Sequence, residues 1–359
     1  MSLRTALPTQ PNARTWSRIM RASFITALSL AGCTDPRPEI IASFPPDASV
    51  DTGLGAGGAV DAGDAGSTPL PVPAQRGRVK VVAGNLVTDR GTPLRGLLLP
   101  VDLNWALSNY AFDIVTTIAQ TTGLNTLHVY LEDTQEDSGS MEATADALVS
   151  MTASAGLYLI IAHGTGTAVG TFDPNKVKSF WAIYAKRYAN NPQVLFEIQN
   201  NPEATCDTNV LAATLTMEEQ TYSQIRALAP DSHILLFSTT SLIQPAVFSD
   251  AVMRLGTSVD WTNASFAMDV YTDCLKLDML PSLTGPAKTA GVPILIGQLP
   301  PTGWGPYISA FEQAKIGWMQ VQWFAKEAQL TDYASTTTAQ GATWCPDQGT
   351  FPEDSRSCQ

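Results

Sequence analysis

The sequence predicts an α/β fold, a (β/α)8 barrel of one domain with a short N-terminal hairpin and a long low-complexity segment ahead of it. Three observations carry this reading. Eight apolar runs of strand length recur between residues 94 and 323, they are apolar continuously rather than alternately, and most are separated by longer segments with helical spacing. A strand buried on both faces needs continuous apolar character, and parallel strands covered by crossover helices are buried in that way. A doubly wound open sheet uses the same alternation. No Gly-x-Gly-x-x-Gly follows the first run, which weakens the dinucleotide-binding version of that rival. The 359 residues admit two domains, but a barrel commonly takes about 250 residues as one domain and leaves the rest for tails.

Residues 79–82 and 86–88, with a turn near Asn85 and another at Asp89-Arg90-Gly91, predict a small hairpin. The eight barrel strands follow at 94–99, 125–130, 157–162, 194–198, 234–237, 265–270, 293–296 and 317–323. Helical spacing occupies 111–120, 141–155, 177–188 and 218–228. No repeat of solenoid period is present.

Ahead of the barrel, Arg14, Arg18 and Arg21 precede an apolar run over 22–30 that is too short to span a bilayer and reads as a secretory signal. Its end, Leu30-Ala31-Gly32-Cys33, resembles a bacterial lipobox, which implies lipidation of Cys33 after removal of residues 1–32. A generic signal with a chance cysteine is the plainer alternative. Residues 33–77 are rich in Pro, Gly, Ala and Asp with few large apolar side chains, and such a segment cannot bury enough surface to offset the entropy of ordering. The expected arrangement is therefore a lipid-anchored, disordered linker carrying a domain over 78–359 in the bacterial cell envelope. Thr34 after the cysteine, rather than Asp, favours an outer membrane or cell surface.

The formal net charge of −12, without Lys or Arg runs in the domain, argues against nucleic acid, because neutralising phosphates needs clustered positive charge. Three scattered histidines without His-x-x-x-His or Cys-x-x-Cys spacing make a poor metal set, and nothing points to a cofactor.

Chemistry is read from strand C-termini, because barrel enzymes carry it there. The stretch Phe196-Glu197-Ile198-Gln199-Asn200-Asn201-Pro202-Glu203 resembles the end of the fourth strand of family-5 glycoside hydrolases, with Asn201 in place of the acid/base glutamate. Ile294-Leu295-Ile296-Gly297-Gln298 resembles the end of their seventh strand, with Gln298 in place of the nucleophile. An amide neither donates a proton as an acid nor attacks a sugar carbon as an anion, so both halves of the two-carboxylate mechanism are missing.

The resemblance runs over about residues 78–334 and implies roles for further positions. His128 stands where the family has a second-strand arginine, and Asp269 where it has the histidine of its sixth-strand His-x-Tyr. His163, Asn200 and Tyr271 match kept polar contacts, Asn200 being the expected partner of a sugar 2-hydroxyl. Trp323, with Trp318 as the alternative, matches the eighth-strand tryptophan under the sugar. Trp105, Trp261 and Trp304 also fall near strand ends and offer flat rings for pyranose faces; core packing is the competing role of such aromatics. A lone strand-end histidine also serves as a hydrogen-bonded structural residue, and Asn200-Asn201 before Pro202 also suits a plain turn.

Asp102, Glu132, Asp133, Glu203, Asp269 and Asp273 are the carboxylates from which a relocated catalytic pair would be drawn. An extracytoplasmic location permits disulfides. On the barrel reading Cys206 pairs with Cys274 and Cys345 with Cys358, although four cysteines allow three connectivities. The expectation is a glycosidase-like pseudoenzyme that binds a polysaccharide or oligosaccharide without cutting it. A hydrolase with relocated carboxylates and an envelope interaction protein remain the alternatives.

Overall fold

The computed structural model describes residues 76–99, 124–133, 136–165, 171–202, 212–239, 245–255, 258–270, 276–299 and 305–321. Cys33, Cys206, Cys274, Cys345, Cys358, Trp105, Trp304, Tyr271, Trp323, Asp102, Glu203, Asp273, the 111–120 helix and the leader with its linker through residue 75 lie outside the described residues, while Arg76 and Gly77, expected at the end of that linker, bond to Asp89 and belong to the folded domain.

Lys80–Val82 (β1) and Asn85–Val87 (β2) pair antiparallel about the turn at Ala83-Gly84, forming the expected hairpin. The barrel strands are Arg95–Leu99 (β3), Thr126–Asp133 (β4), Tyr158–Thr165 (β5), Val194–Glu197 (β6), Ile234–Thr239 (β7), Ala264–Asp269 (β8), Ile294–Leu299 (β9) and Gly317–Val321 (β10). Each pairs in parallel with its neighbour in sequence order, and β10 returns to β3 to close the ring. The helices are Glu142–Ser154 (α1), Pro174–Tyr188 (α2), Ala212–Leu228 (α3), Pro245–Leu255 (α4), Leu280–Ala290 (α5) and Gly305–Ala314 (α6).

Two apolar layers explain why the strands read as continuous runs. Leu127, Val129, Leu159, Ile161, Phe196, Phe266 and Ile296 point outward and pack with the helices, among them Phe180 and Trp181 of α2. Leu98, Tyr130, Tyr158, Ile160, Leu195, Leu235, Ala267, Leu295 and Met319 point inward, with Leu86 of the hairpin among them. Successive residues of a strand face opposite sides, so both sets must be apolar when both sides are buried. Closure needs glycine where strands approach most closely. A Cβ at Gly96 would stand 2.2 Å from the Thr126 carbonyl oxygen, and one at Gly317 would stand 2.8 Å from that of Leu94.

Element ends differ from expectation where polar residues continue a strand or helix. β4 and β5 run three residues further than their apolar runs, through Glu132 and through His163-Gly164-Thr165. Their ladders remain paired there, His163 opposite Leu131 and Thr165 opposite Asp133. Helix α2 starts at Pro174, three residues before its apolar spacing, because Asp173 caps the Asn175 amide at 2.8 Å and proline suits the first turn. Helix α3 starts six residues early, where burial of Thr214, Leu215 and Met217 overrides weak local propensity.

Candidate functional site

The candidate site is built from the C-terminal ends of β4, β5, β6 and β9. After β6 the chain runs through Ile198 and Gln199 to Asn200 and Asn201, both nearly buried. Asn200 donates its backbone N–H to the His163 carbonyl at 2.9 Å, which holds this segment against β5. Asn201 has φ of +43°, in the left-handed region that asparagine tolerates better than most residues. The tight bend before Pro202 therefore holds, and it coexists with a set of side-chain contacts that a simple turn does not require.

Asn200 is the hub of these contacts. Its Oδ1 accepts from Asn201 Nδ2 at 2.8 Å and from Gln298 Nε2 at 3.1 Å, while its own Nδ2 donates more weakly to the Gly164 carbonyl at 3.4 Å. Gln298, 6 % exposed on β9, also donates from Nε2 to the hydroxyl of Tyr130 on β4. The fold thus brings Asn200, Asn201 and Gln298 together, although nearly a hundred residues separate the last from the other two. It also assigns Asn200 an internal partner for each polar atom of its side chain, where a direct contact with a sugar hydroxyl had been expected.

His163, 2 % exposed, has its Nδ1 at 2.7 Å from Gln199 Oε1, and Gln199 in turn donates to the Asn200 carbonyl at 3.0 Å. Because an amide oxygen only accepts, Nδ1 carries the histidine proton. The ring packs 4.9 Å from that of Phe180. His163 therefore supports the Asn200 segment from beneath.

His128 and Tyr130 lie on the inward side of β4. His128 is two residues earlier along the strand, and so about 7 Å deeper at the rise of a strand. It is fully buried, with Nε2 3.0 Å from Glu197 Oε2. Both residues have no measurable exposure, and the geometry falls outside a well-formed hydrogen bond. The contact is an ion pair when the imidazole is protonated. The edge of the His128 ring meets Tyr130, with centroids 5.2 Å apart at 81°. His128 thus faces an interior carboxylate, and the expected direct contact with a ligand is not its arrangement here.

The carboxylates considered for a relocated pair fare differently. Glu132, with φ of +58°, has left the strand alternation, and its Oε1 accepts from the Gly139 amide at 2.8 Å and the Tyr184 hydroxyl at 2.6 Å. Burial raises its pKa above the ordinary carboxylate range, opposed by these hydrogen bonds. It holds the loop ahead of α1. Asp269 is fully buried at the end of β8, in register with Gln298, and the Val270 amide donates to the Gln298 carbonyl at 2.9 Å. The Asp133 side chain is outside the described set.

Two tryptophans take packing roles. Trp318 is fully buried in the strand–helix layer and donates from Nε1 to Glu312 of α6 at 2.9 Å, which removes it as an alternative sugar floor. Trp261 precedes β8, at the end of the barrel away from the site, and packs edge-on against Phe266 at 5.0 Å. Sequence reading missed Tyr130, Glu197 and Gln199 as parts of the site. The available signal was the two-residue alternation from His128 to Tyr130, and from Glu197 to Gln199 within the quoted strand end.

No group of histidine, cysteine or acidic side chains suited to a metal occurs among the described residues. No helix among them is long and apolar enough to cross a membrane.

None of the curated protein sequences matches the chain. Among solved structures, a beta-glucanase from Saccharophagus degradans in complex with cellotetraose is similar over 77% of this chain and 97% of its own, with 16% identity and a TM-score of 0.60. The catalytic domain of an endoglucanase from Thermobifida fusca is similar over 70% of this chain and 87% of its own, with 19% identity and a TM-score of 0.55. A beta-mannanase from Thermomonospora fusca, in complex with mannohexaose, is similar over 70% and 85%, with 18% identity and a TM-score of 0.57. At these identities the likeness is one of fold. Residues 105–278, which include Asn200 and Asn201 and end before Gln298, match the family model of cellulase (glycosyl hydrolase family 5).

Proposed function

We propose that this chain is a glycosidase-like pseudoenzyme that binds a β-linked polysaccharide or oligosaccharide in the barrel cleft without hydrolysing it. The observation that carries the reading is the pairing around Asn200. The side-chain amides of Asn201 and Gln298 both donate to one oxygen, Asn200 Oδ1. A carboxylate has no N–H to donate, and at position 298 it would set a charged oxygen about 3.1 Å from that carbonyl. Turning Asn200 to present its amide would point its oxygen at the Gly164 carbonyl, which now accepts from it. The surroundings are matched to amides at 201 and 298.

Retaining and inverting hydrolysis both need a proton donor and an anionic partner on either side of the bond. Among the described carboxylates near the site, Glu132 is engaged by a loop and Tyr184, Glu197 lies against His128 in the barrel interior, and Asp269 is fully buried at the end of β8. The beta-glucanase and beta-mannanase of similar fold were solved with cellotetraose and mannohexaose, which supports a carbohydrate as the partner. The lipobox-like Leu30-Ala31-Gly32-Cys33 and the linker behind it support anchoring in a bacterial envelope. Incorporation of a labelled fatty acid into the full chain, lost in Cys33→Ser, tests that part.

The main test is long incubation of the mature protein with β-glucans, mannans and xylans, with products followed by mass spectrometry and binding by calorimetry. Binding without product is the expected result. Product release that survives in Asn201→Ala and Gln298→Ala would overturn the reading in favour of relocated carboxylates, Asp269 being the first to replace.

A further inference from the structure

We propose that Tyr130 is a positioning residue of the cleft, fixing the orientation of the Gln298 amide; as a statement about ligand binding this rests on the carbohydrate-binding reading above. Tyr130 comes from β4 and Gln298 from β9, which are not neighbours in the ring. The Tyr130 hydroxyl accepts from Gln298 Nε2, and the second proton of the same nitrogen goes to Asn200 Oδ1. The two acceptors together fix the plane of the Gln298 amide. One of them, Asn200, is tied to β5 and β6 by its backbone and to Asn201 by its side chain. The other is set by the barrel interior.

That interior setting is specific. Tyr130 is 3 % exposed and packs in the inward layer with Leu98, Ile160 and Leu195. The edge of the His128 ring abuts it, and His128 Nε2 lies 3.0 Å from Glu197 Oε2 on β6. A tyrosine serving only as apolar filling would have no need of its hydroxyl, and phenylalanine would replace it at no loss. A hydroxyl that holds an amide leaves a buried N–H without that acceptor when removed, and such a loss weakens the arrangement. Because the hydroxyl both donates and accepts, it can serve a carboxylate or an amide at 298, but only with an amide do both Gln298 protons find acceptors.

The test uses the mature protein, Tyr130→Phe, Gln298→Ala and the double variant, with the Gln298 side-chain NH2 resonances identified by their loss in Gln298→Ala. In Tyr130→Phe those resonances are expected to move and to exchange with solvent faster. Affinity for cellotetraose or mannohexaose should fall about 5- to 30-fold, with no further loss, within about 2-fold, when Tyr130→Phe is added to Gln298→Ala. Unmoved Gln298 resonances would overturn the proposal, as would an equal loss of affinity in the Gln298→Ala background. If neither sugar binds the unaltered protein, the functional reading fails, while the resonances still decide whether Tyr130 positions Gln298.

Discussion

The two ends of the barrel settle their buried polar groups with different mixtures of contacts. At the N-terminal end of the strands, ion pairs stand beside neutral contacts of Asn125, Gln193 and His233. Arg95 makes a two-pronged contact with Glu312 at 2.7 and 2.8 Å. Arg76 pairs with Asp89 at 3.0 Å and lies over the Tyr158 ring at 4.7 Å. At the C-terminal end, the amides of Gln199, Asn200, Asn201 and Gln298 bond to one another, with His128 and Glu197 set 3.0 Å apart deeper in the barrel. An ion pair fastens two elements whatever happens elsewhere. A set of amides supplies both donors and acceptors, so its members can satisfy one another without charge.

The largest effect should come from breaking the charged end. Arg95→Ala leaves Glu312 buried with its principal partner gone, side-chain exposures in the pair being only 6% and 10%. A loss of about 3–5 kcal/mol is expected in chemical denaturation, with glycan affinity per folded molecule unchanged. If Arg95→Ala is as stable as the parent, the contrast between the ends fails.

Next comes the amide end. Asn201→Glu with Gln298→Glu removes two donors to Asn200 Oδ1 and sets two carboxylates around it, and should lower stability by about 1–3 kcal/mol per substitution. Denaturation curves measured above pH 7, where both groups are ionised, check this. A double variant more stable than the parent would show that the surroundings still favour carboxylates.

A pH prediction separates the ends further. His233, ahead of β7, is fully buried with Nε2 2.7 Å from Ser265 Oγ, and burial, with Arg226 nearby, lowers its pKa to about 3. The unfolded chain, near 6.5, then binds more protons than the folded one between those values. Stability contributed by neutral His233 is complete above about pH 6.5 and is lost as pH falls, by about 1.4 kcal/mol per unit until the folded group itself protonates. His233→Asn should flatten that part of the stability profile. A slope that persists in the variant would place the sensitive group elsewhere.

The smallest expected change is Tyr130→Phe, worth about 1–3 kcal/mol and read in the Gln298 resonances before it is read in any melting curve. It sharpens the comparison because it alters one hydrogen bond at the neutral end and no charge.

Much of the fold was legible in the sequence for a reason peculiar to parallel barrels. Both faces of 157–162 and 293–296 are buried, so each run is unbroken and easy to see. The same continuity concealed part of the site. Tyr130 reads as one more large apolar residue in its run, and Glu197 as a charge inside a strand end quoted for its neighbours. Nothing local distinguishes a phenol that fills space from one that holds an amide on another strand. Glu132 failed as a candidate for the opposite reason, since its distance from other carboxylates could be considered but its capture by Gly139 and Tyr184 could not.

By itself, then, the sequence determined the eightfold alternation, the order of the strand ends, and the absence of carboxylates at 201 and 298, because burial periodicity and residue identity are local properties. Only the tertiary structure decided that Asn200 faces inward as the shared acceptor, that His128 meets Glu197 rather than the cleft, and that Tyr130 reaches Gln298 from a non-adjacent strand. Those are consequences of ring closure, which sets side chains from distant segments within reach of one another, where most buried polar atoms find their partners.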